Sequence, residues 1–345
     1  MIRLGVDAWN LPGDRRGIGR YLREILRAWW ERDRDRIEVT LIVPEWHSWT
    51  VLGRYLREVE PARYRVVSRA WHRRAGLDAL WFPFNGCSWT NFSLPAAATL
   101  HDASNFVVEG YAPQTQAIFR AAAQRCRALL TDSRFAQREL ARELHIPSER
   151  LVPIELGVSP PKPAKAVALD LAALEPFVLY VGTAELRKGF DVLLDAMALV
   201  RSECPDLKLV VTTRLDGSFS VPEDVRIVQL GFVDDDTLAA LYRACTVLAF
   251  PSRYEGFGLP VLEAMSYGAP VIASNAASVP EAGGDAAAYV PAGDATALGG
   301  AIVRVTRDLT YAQELSRRGP VRAAAFPWER TASRTLDVIE RLVIS

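Results

Sequence analysis

The sequence predicts an α/β protein built from two doubly wound domains with parallel sheets. Three observations predict it. The chain has 345 residues, too many for one ordinary hydrophobic core. Short apolar runs alternate with longer amphipathic stretches from end to end, which is the rhythm of repeated βα units. That rhythm breaks once, at Val158-Ser-Pro-Pro-Lys-Pro-Ala-Lys165, a proline-rich stretch without apolar periodicity.

Before the break, strands are expected at Ile2–Val6, Val39–Val43, Tyr64–Val67, Ala79–Phe82, Ala97–Leu100, Ala128–Thr131 and Leu151–Ile154. Helices are expected at Gly17–Glu31, Ala112–Arg127 and Ser133–Leu144, the last with Ser133 as its N-cap. After the break, strands are expected at Phe177–Val181, Leu207–Val211, Val225–Gln229, Val247–Phe250, Val271–Ala273 and Ala287–Val290. Helices follow at Gly189–Arg201, Asp235–Arg243, Pro260–Ser266, Ala295–Arg307, Ala312–Ala325 and Trp328–Val343. The chain therefore divides into a first domain over 1–157, a linker over 158–175, a second domain over 176–326 and a final helix over 327–345. Two such domains create a cleft between the carboxyl ends of their sheets, where open α/β sheets bind ligands.

Composition excludes several function classes. Half the residues are hydrophobic and 24% are charged, as in a soluble globular chain. The formal net charge is zero, so no nucleic-acid partner is expected. Cys87, Cys126, Cys204 and Cys245 form no Cys-x-x-Cys pair, which argues against a zinc site and for a reducing, cytoplasmic setting. The apolar run in Met1-Ile-Arg-Leu-Gly-Val-Asp7 is too short for a signal peptide. No stretch is long and apolar enough for a bilayer span. A membrane surface remains a candidate contact. Lysine occurs only at Lys162, Lys165, Lys188 and Lys208, so Lys188 is not the default cation of this chain.

Most of the chemical information lies in 247–273, a strand, loop, helix and strand in succession. Gly256 and Gly258 let the backbone approach a ligand, and Pro260 suits a first helical turn. N–H groups of 258–262 would then point out of a positive helix start, a site for phosphate. Glu255 in the loop and Glu263 in the helix could flank one polyhydroxy ligand. Spacing alone does not separate this from a helix start with two solvated glutamates.

Glu255-Gly-Phe-Gly-Leu-Pro-Val-Leu-Glu263 resembles the Glu-x7-Glu signature of the retaining, GT-B-fold family-4 glycosyltransferases. So do Pro251-Ser252, Gly268-Ala-Pro-Val-Ile-Ala-Ser-Asn275 and Val279-Pro-Glu-Ala-Gly-Gly-Asp-Ala286. The likeness covers essentially the whole chain. It implies two Rossmann-like domains facing across a cleft, with the C-terminal helix returning to the first. It implies a nucleoside-diphosphate sugar donor and a glycan or lipid-linked acceptor. Glu255 would contact hydroxyls of the transferred sugar and Glu263 the ribose. The backbone of Gly256, Phe257, Gly258 and Leu259 would lie near the sugar, and that of Val261 and Leu262 near the diphosphate.

Tyr180-Val-Gly-Thr-Ala-Glu-Leu-Arg-Lys-Gly189 follows the first strand of the second domain. Arg187 can fork onto two phosphate oxygens, and Lys188 adds a compact charge. Together they would neutralise charge growing on a departing diphosphate. Many family members carry arginine straight after the Val-Gly, where this chain has Thr183; the pattern resembles the bacterial mannosyltransferase-like subgroup with Arg-Lys later in the loop. Leu230-Gly-Phe-Val-Asp234 resembles the base-binding turn, with Phe232 and Val233 facing the base, though a plain strand-end turn would read alike.

In the first domain, Asp14-Arg-Arg-Gly-Ile-Gly-Arg-Tyr21 enters a helix. The resemblance gives Gly17 and Gly19 a place closing over the donor phosphates. Thr99-Leu-His-Asp-Ala103 ends a strand at a carboxyl edge. The resemblance puts His101 near the anomeric carbon, through its carbonyl as well as its imidazole, with Asp102 fixing the loop or the histidine. Eight of the nine tryptophans precede residue 90, several beside arginines. Such residues suit sugar faces or a membrane interface, and they equally suit a core.

The resemblance implies transfer with retention. With Glu255 at sugar hydroxyls, front-face displacement is favoured over a covalent nucleophile. No metal or other cofactor is expected: Asp33-Arg-Asp35 lies in a charged helix end, and Asp234-Asp-Asp236 reads as a cap. The Arg-Lys pair leans toward GDP-mannose, with UDP-hexoses close behind. A nucleotide-sugar epimerase or hydrolase of the same fold stays open. A sugar-binding protein is disfavoured by the presence of Glu255, Arg187 and Lys188. A dinucleotide oxidoreductase would need a Gly-x-Gly-x-x-Gly that Gly256-Phe-Gly258 does not complete.

Overall fold

The computed structural model describes residues 1–11, 17–44, 64–109, 111 and 113–344. The chain divides into two compact units: Met1–Gly157 with Trp328–Ser345, and Val158–Pro327.

The first unit carries β1 (Ile2–Asp7), β2 (Ile37–Val43), β3 (Arg65–Ser68), β4 (Ala79–Phe82), β5 (Ala96–Thr99), β6 (Ala128–Thr131) and β7 (Leu151–Pro153). They form one sheet in the order β3-β2-β1-β4-β5-β6-β7, parallel throughout. The second unit carries β8 (Phe177–Tyr180), β9 (Lys208–Val211), β10 (Ile227–Gln229), β11 (Val247–Phe250), β12 (Val271–Ser274) and β13 (Ala288–Val290). Their order, β10-β9-β8-β11-β12-β13, is also parallel throughout. Each sheet is thus wound outward in both directions from a central pair, β1 with β4 and β8 with β11. Strands β4, β8 and β11 are buried along their whole length, as helices on both faces require.

Helices α1 (Ile18–Arg32), α2 (Ser104–Val107), α3 (Pro113–Arg125) and α4 (Arg134–Leu144) serve the first sheet. Ser133 caps α4, accepting the Ala136 N–H at 3.0 Å. Helices α5 (Phe190–Val200), α6 (Asp235–Ala244), α7 (Leu259–Ser266), α8 (Val279–Gly283), α9 (Ala295–Arg307) and α10 (Leu309–Ala324) serve the second. The last helix, α11 (Trp328–Ile344), belongs to the first unit. Trp29 of α1 donates its indole N–H to Ala332 O at 2.9 Å, and Arg36 binds Asp337 and Glu340.

Three features depart from the sequence reading. β10 starts at Ile227 rather than Val225, because the Val225 N–H turns back onto Pro222 O at 3.0 Å. The short helices α2 and α8 were not foreseen, being too brief to show a 3.6-residue period. The proline-rich stretch has neither helix nor strand, but it is not a free spacer. Lys162 and Lys165 pair with Asp235 and Asp236, and the Lys162 N–H donates to the Tyr267 hydroxyl. Among the described residues no helix is long and apolar enough to cross a membrane.

Candidate active site

The winding of the second sheet reverses between β8 and β11, and ligands of such sheets bind at the carboxyl ends of the strands at that reversal. Two loops leave those strand ends, 181–189 after β8 and 251–258 after β11. The first holds Arg187 and Lys188, and the second holds Glu255.

Backbone chemistry binds the two loops together. Gly189 has φ +67°, and a Cβ there would lie 2.2 Å from Pro251 O. Only glycine allows that approach. The Arg253 N–H donates to Arg187 O at 2.8 Å. The Arg253 guanidinium donates to Leu186 O and forks onto both oxygens of Asp191 at 2.7 Å. That fork holds the Asp191 carboxyl below its ordinary range.

The charged groups consequently meet. Lys188 Nζ lies 3.5 Å from Glu255 Oε1, and Arg187 Nη1 lies 3.8 Å from Glu255 Oε2. Their side chains are only 14–18% exposed, so these charges act through less water than surface charges do. Glu255 and Arg187 are also tethered. The Ser252 hydroxyl donates to Glu255 Oε1 at 3.0 Å, and the Ser278 hydroxyl donates to Glu255 O at 2.7 Å. Arg187 donates to Tyr254 O at 3.0 Å and to Glu185 Oε2 at 3.2 Å. Thr183 is exposed and donates its hydroxyl to Glu185 Oε1 at 2.6 Å.

Gly258, at φ +103°, turns the chain into α7, with Leu259 and Pro260 as its first residues. One expectation needs correction here. The Val261 N–H is not free at the helix start, since it donates to Gly258 O at 3.0 Å. Phe257 is buried against Phe326, with ring centroids 5.8 Å apart, so it offers a ligand only its main chain. Gly256 and Leu262 are buried as well. Glu263 is 9% exposed and accepts the Tyr242 hydroxyl at 3.1 Å. Tyr242 was not singled out from the sequence, since it does not stand beside its carboxylate in a recognisable pattern, and Ser252 was noted only within the Pro251-Ser252 likeness, not as a partner of Glu255. After β10, Phe232 is 67% exposed and Val233 is half-buried. Asp234 caps α6 by accepting the Thr237 N–H at 2.7 Å.

In the first unit His101 follows β5 at the carboxyl edge and is buried. Its Nδ1 lies 2.8 Å from Asp132 Oδ2, its Nε2 lies 2.9 Å from Pro83 O, and its main-chain N–H donates to Asn85 Oδ1 at 2.8 Å. A carbonyl only accepts, so Nε2 carries a proton, and a second proton lies between Nδ1 and Asp132. Burial alone would lower the imidazole's pKa, but the Asp132 charge and hydrogen bond outweigh it and raise the pKa above its ordinary value. Both ring nitrogens are therefore engaged, which leaves the main chain as the part of His101 able to meet a ligand. Asp102, expected to fix either the loop or the histidine, fixes the loop by accepting the Ser104 N–H at 2.8 Å. Asp132 was legible only as the acidic residue ending the neighbouring strand β6.

Gly17, at φ +57°, is exposed and precedes α1, while Gly19 is buried in the first turn of α1. Residues 14–16 of that loop lie outside the described residues, as do Trp46 and Trp49. Trp29 and Trp81 are fully buried core residues, whereas Trp71 is 53% exposed, with the Arg74 guanidinium 4.6 Å from its ring centre. Cys87 and Cys126, distant in sequence, bring their buried sulfurs to 3.4 Å.

The O-antigen chain mannosyltransferase B of Escherichia coli is 32% identical over 281 residues, which cover 73% of each chain. The chain belongs to the group 1 glycosyltransferases. Residues 175–308 match that family, described as Glycosyl transferases group 1, and they contain Arg187, Lys188, Glu255 and Glu263. Solved structures agree on the GT-B fold of this glycosyltransferase. Sucrose-phosphate synthase from Thermosynechococcus elongatus superposes with a TM-score of 0.72 at 21% identity, covering 99% of both chains. HepE from Anabaena, solved with UDP-glucose, gives a TM-score of 0.74 at 16% identity, covering 99% of this chain and all of that one.

Proposed function

We propose that this glycosyltransferase moves a mannosyl group from GDP-mannose to a glycan or lipid-linked glycan, with retention of anomeric configuration and without a metal. The observation that carries the reading is the meeting of Lys188 and Arg187 with Glu255 at the reversal point of the second sheet. Two cations, of which Arg187 is tethered, beside a glycine-lined helix start suit a diphosphate, and a tethered carboxylate suits sugar hydroxyls. The mannosyl choice is supported by the E. coli relative's activity and by the Arg187-Lys188 pattern of the family-4 mannosyltransferase-like subgroup.

In this mechanism the bond from the anomeric carbon to the diphosphate oxygen breaks as the acceptor oxygen attacks the same face. The acceptor's proton passes to the departing diphosphate oxygen. Arg187 and Lys188 stabilise the charge gathering there, already oriented before the reaction begins. Glu255 accepts hydrogen bonds from the sugar and orients it. Glu263, held by Tyr242, binds the ribose, and the exposed Phe232 and the Val233 main chain face the base. With two cations supplying the charge, no metal is called for.

Thermal shift with GDP-, UDP-, ADP- and dTDP-sugars tests the donor, followed by mass-spectrometric turnover of the stabilising donor with and without mannan oligosaccharide. GDP-mannose should stabilise and turn over only with acceptor, giving an α-anomer by NMR. Stabilisation by UDP-sugars alone would replace the donor, an inverted product would refute retention, and acceptor-independent turnover would favour a hydrolase. Glu255→Ala should abolish transfer in a folded protein. Flotation with anionic liposomes tests the membrane contact.

A further inference from the structure

The first sheet also reverses its winding, between β1 and β4. Asp7 closes β1 and Ser88 lies in the loop after β4, so this pair spans the reversal point where doubly wound sheets bind ligands. The Ser88 hydroxyl donates to Asp7 Oδ2 at 2.5 Å, the short distance of a hydroxyl on an ionised carboxylate. Asp7 is 2% exposed while Ser88 is half-buried, so the hydroxyl stands between the carboxylate and the exterior.

The polar atoms around the pair are incompletely matched. Asp7 Oδ1 and the Nε1 atoms of Trp9 and Trp89, together with Arg69 Nε, are buried without a hydrogen-bond partner among the described residues. Such atoms are rare in native interiors and point to a missing polar partner. The Trp89 indole faces the Asp7 carboxylate without closing a hydrogen bond, and the Arg69 guanidinium lies 5.8 Å from the Trp89 ring centre. The place thus offers one oriented acceptor, unmatched N–H donors and aromatic surface, the set a sugar ring with its hydroxyls can satisfy.

We propose that Ser88, polarised by Asp7, is an acceptor-sugar contact of the transferase, receiving a hydroxyl of the incoming glycan through the oxygen that Asp7 leaves facing outward. The proposal rests on the reading of the protein as a glycan-acceptor glycosyltransferase. With Asp7 ionised, Ser88 must spend its proton on the carboxylate and accept from the sugar. With Asp7 protonated, the bond can reverse, and the sugar hydroxyl must then turn from donating to accepting, away from the orientation in which it is held. Burial pushes the Asp7 carboxyl up to about 6, against the lowering effects of the Ser88 hydrogen bond, the Arg69 charge, the Trp89 indole and the Trp9 N–H. The buried Cys87 thiol beside it stays neutral, its own pKa raised well above the ordinary thiol range, chiefly by the hydrogen bond with Cys126 and by burial. The reversal therefore falls near pH 6.

The test is the acceptor KM between pH 5 and 8 for wild type, Ser88→Ala and Asp7→Asn, with donor affinity by thermal shift as the control for folding. The wild-type acceptor KM should rise as pH falls through about 6. Ser88→Ala should raise it roughly tenfold at pH 7.5, the effect of one lost hydrogen bond, and flatten the profile. Asp7→Asn keeps an oxygen for Ser88 but cannot titrate, so its profile should be flat too. An unchanged KM and profile in Ser88→Ala, with wild type transferring normally, would overturn this contact and leave the transferase reading standing. A wild type that transfers to no glycan would overturn both.

Discussion

Lys188 Nζ stands 3.5 Å from Glu255 Oε1, and Gly189 is what lets their two loops come that close. The relationship joins residues 67 positions apart, each at the end of a central strand of the same sheet. It holds an anion and a cation together through one piece of backbone packing.

Lys188→Ala should weaken the nucleotide-sugar donor by about 10- to 100-fold, the range for a hydrogen bond to a charged group. Calorimetric titration of the donor measures it. The loss should shrink at high salt, because part of it is unscreened attraction.

Gly189→Ala should damage both fold and site. Its Cβ would meet Pro251 O at 2.2 Å in a backbone that disfavours side chains. Strain of about 1–3 kcal/mol or separation of the loops follows. Gly300, inside α9, meets nothing within 4 Å, so Gly300→Ala should instead stabilise by about 0.5–1 kcal/mol. Urea unfolding of the two variants, with donor titration of each, checks the contrast.

Asp132→Ala should cost about 3–5 kcal/mol near neutral pH, because it leaves the buried His101 without its counter-charge. Wild-type stability should carry a component from His101 that is full below the ordinary histidine range. It fades as pH rises through the raised value, since the native state holds that proton more tightly than the unfolded chain. Chemical unfolding of wild type and variant from pH 5 to 9 follows both effects.

Asp7 shifts stability with pH in the same direction, over a lower window. Its carboxyl is raised to about 6, so between about 4 and 6 the unfolded chain has released a proton that the native state keeps. Stability then falls as pH rises through that window, by roughly 3 kcal/mol in all. Asp7→Asn should remove the fall and melt higher than wild type at pH 8, while scanning calorimetry at pH 5 should show roughly half that difference.

The sheets were legible because buried parallel strands appear as short, isolated apolar runs, such as Val247–Phe250. Arg187, Lys188 and Glu255 were legible because each lies just beyond such a run. What could not be seen was pairing across the chain. Tyr242 holds Glu263, yet nothing local ties a tyrosine in α6 to a glutamate in α7. Asp132 was hidden for the same reason: β5 and β6 must be known to be neighbours before a residue after one can be assigned to a histidine after the other. Adjacency left Asp102 between fixing the loop and fixing the histidine, and adjacent residues at a strand end point different ways.

The last helix gives the molecule an order of assembly. The indole of Trp29 and the guanidinium of Arg36 find their partners at Ala332, Asp337 and Glu340, which the ribosome adds only after the whole intervening unit. The second unit is contiguous in sequence and can close as soon as it emerges. The first must wait, its tryptophan-lined seam open, until some three hundred further residues have been made. A nascent chain stalled before Trp328 would therefore be complete in its second unit and unfinished at its beginning, exposing apolar surface for a chaperone to cover.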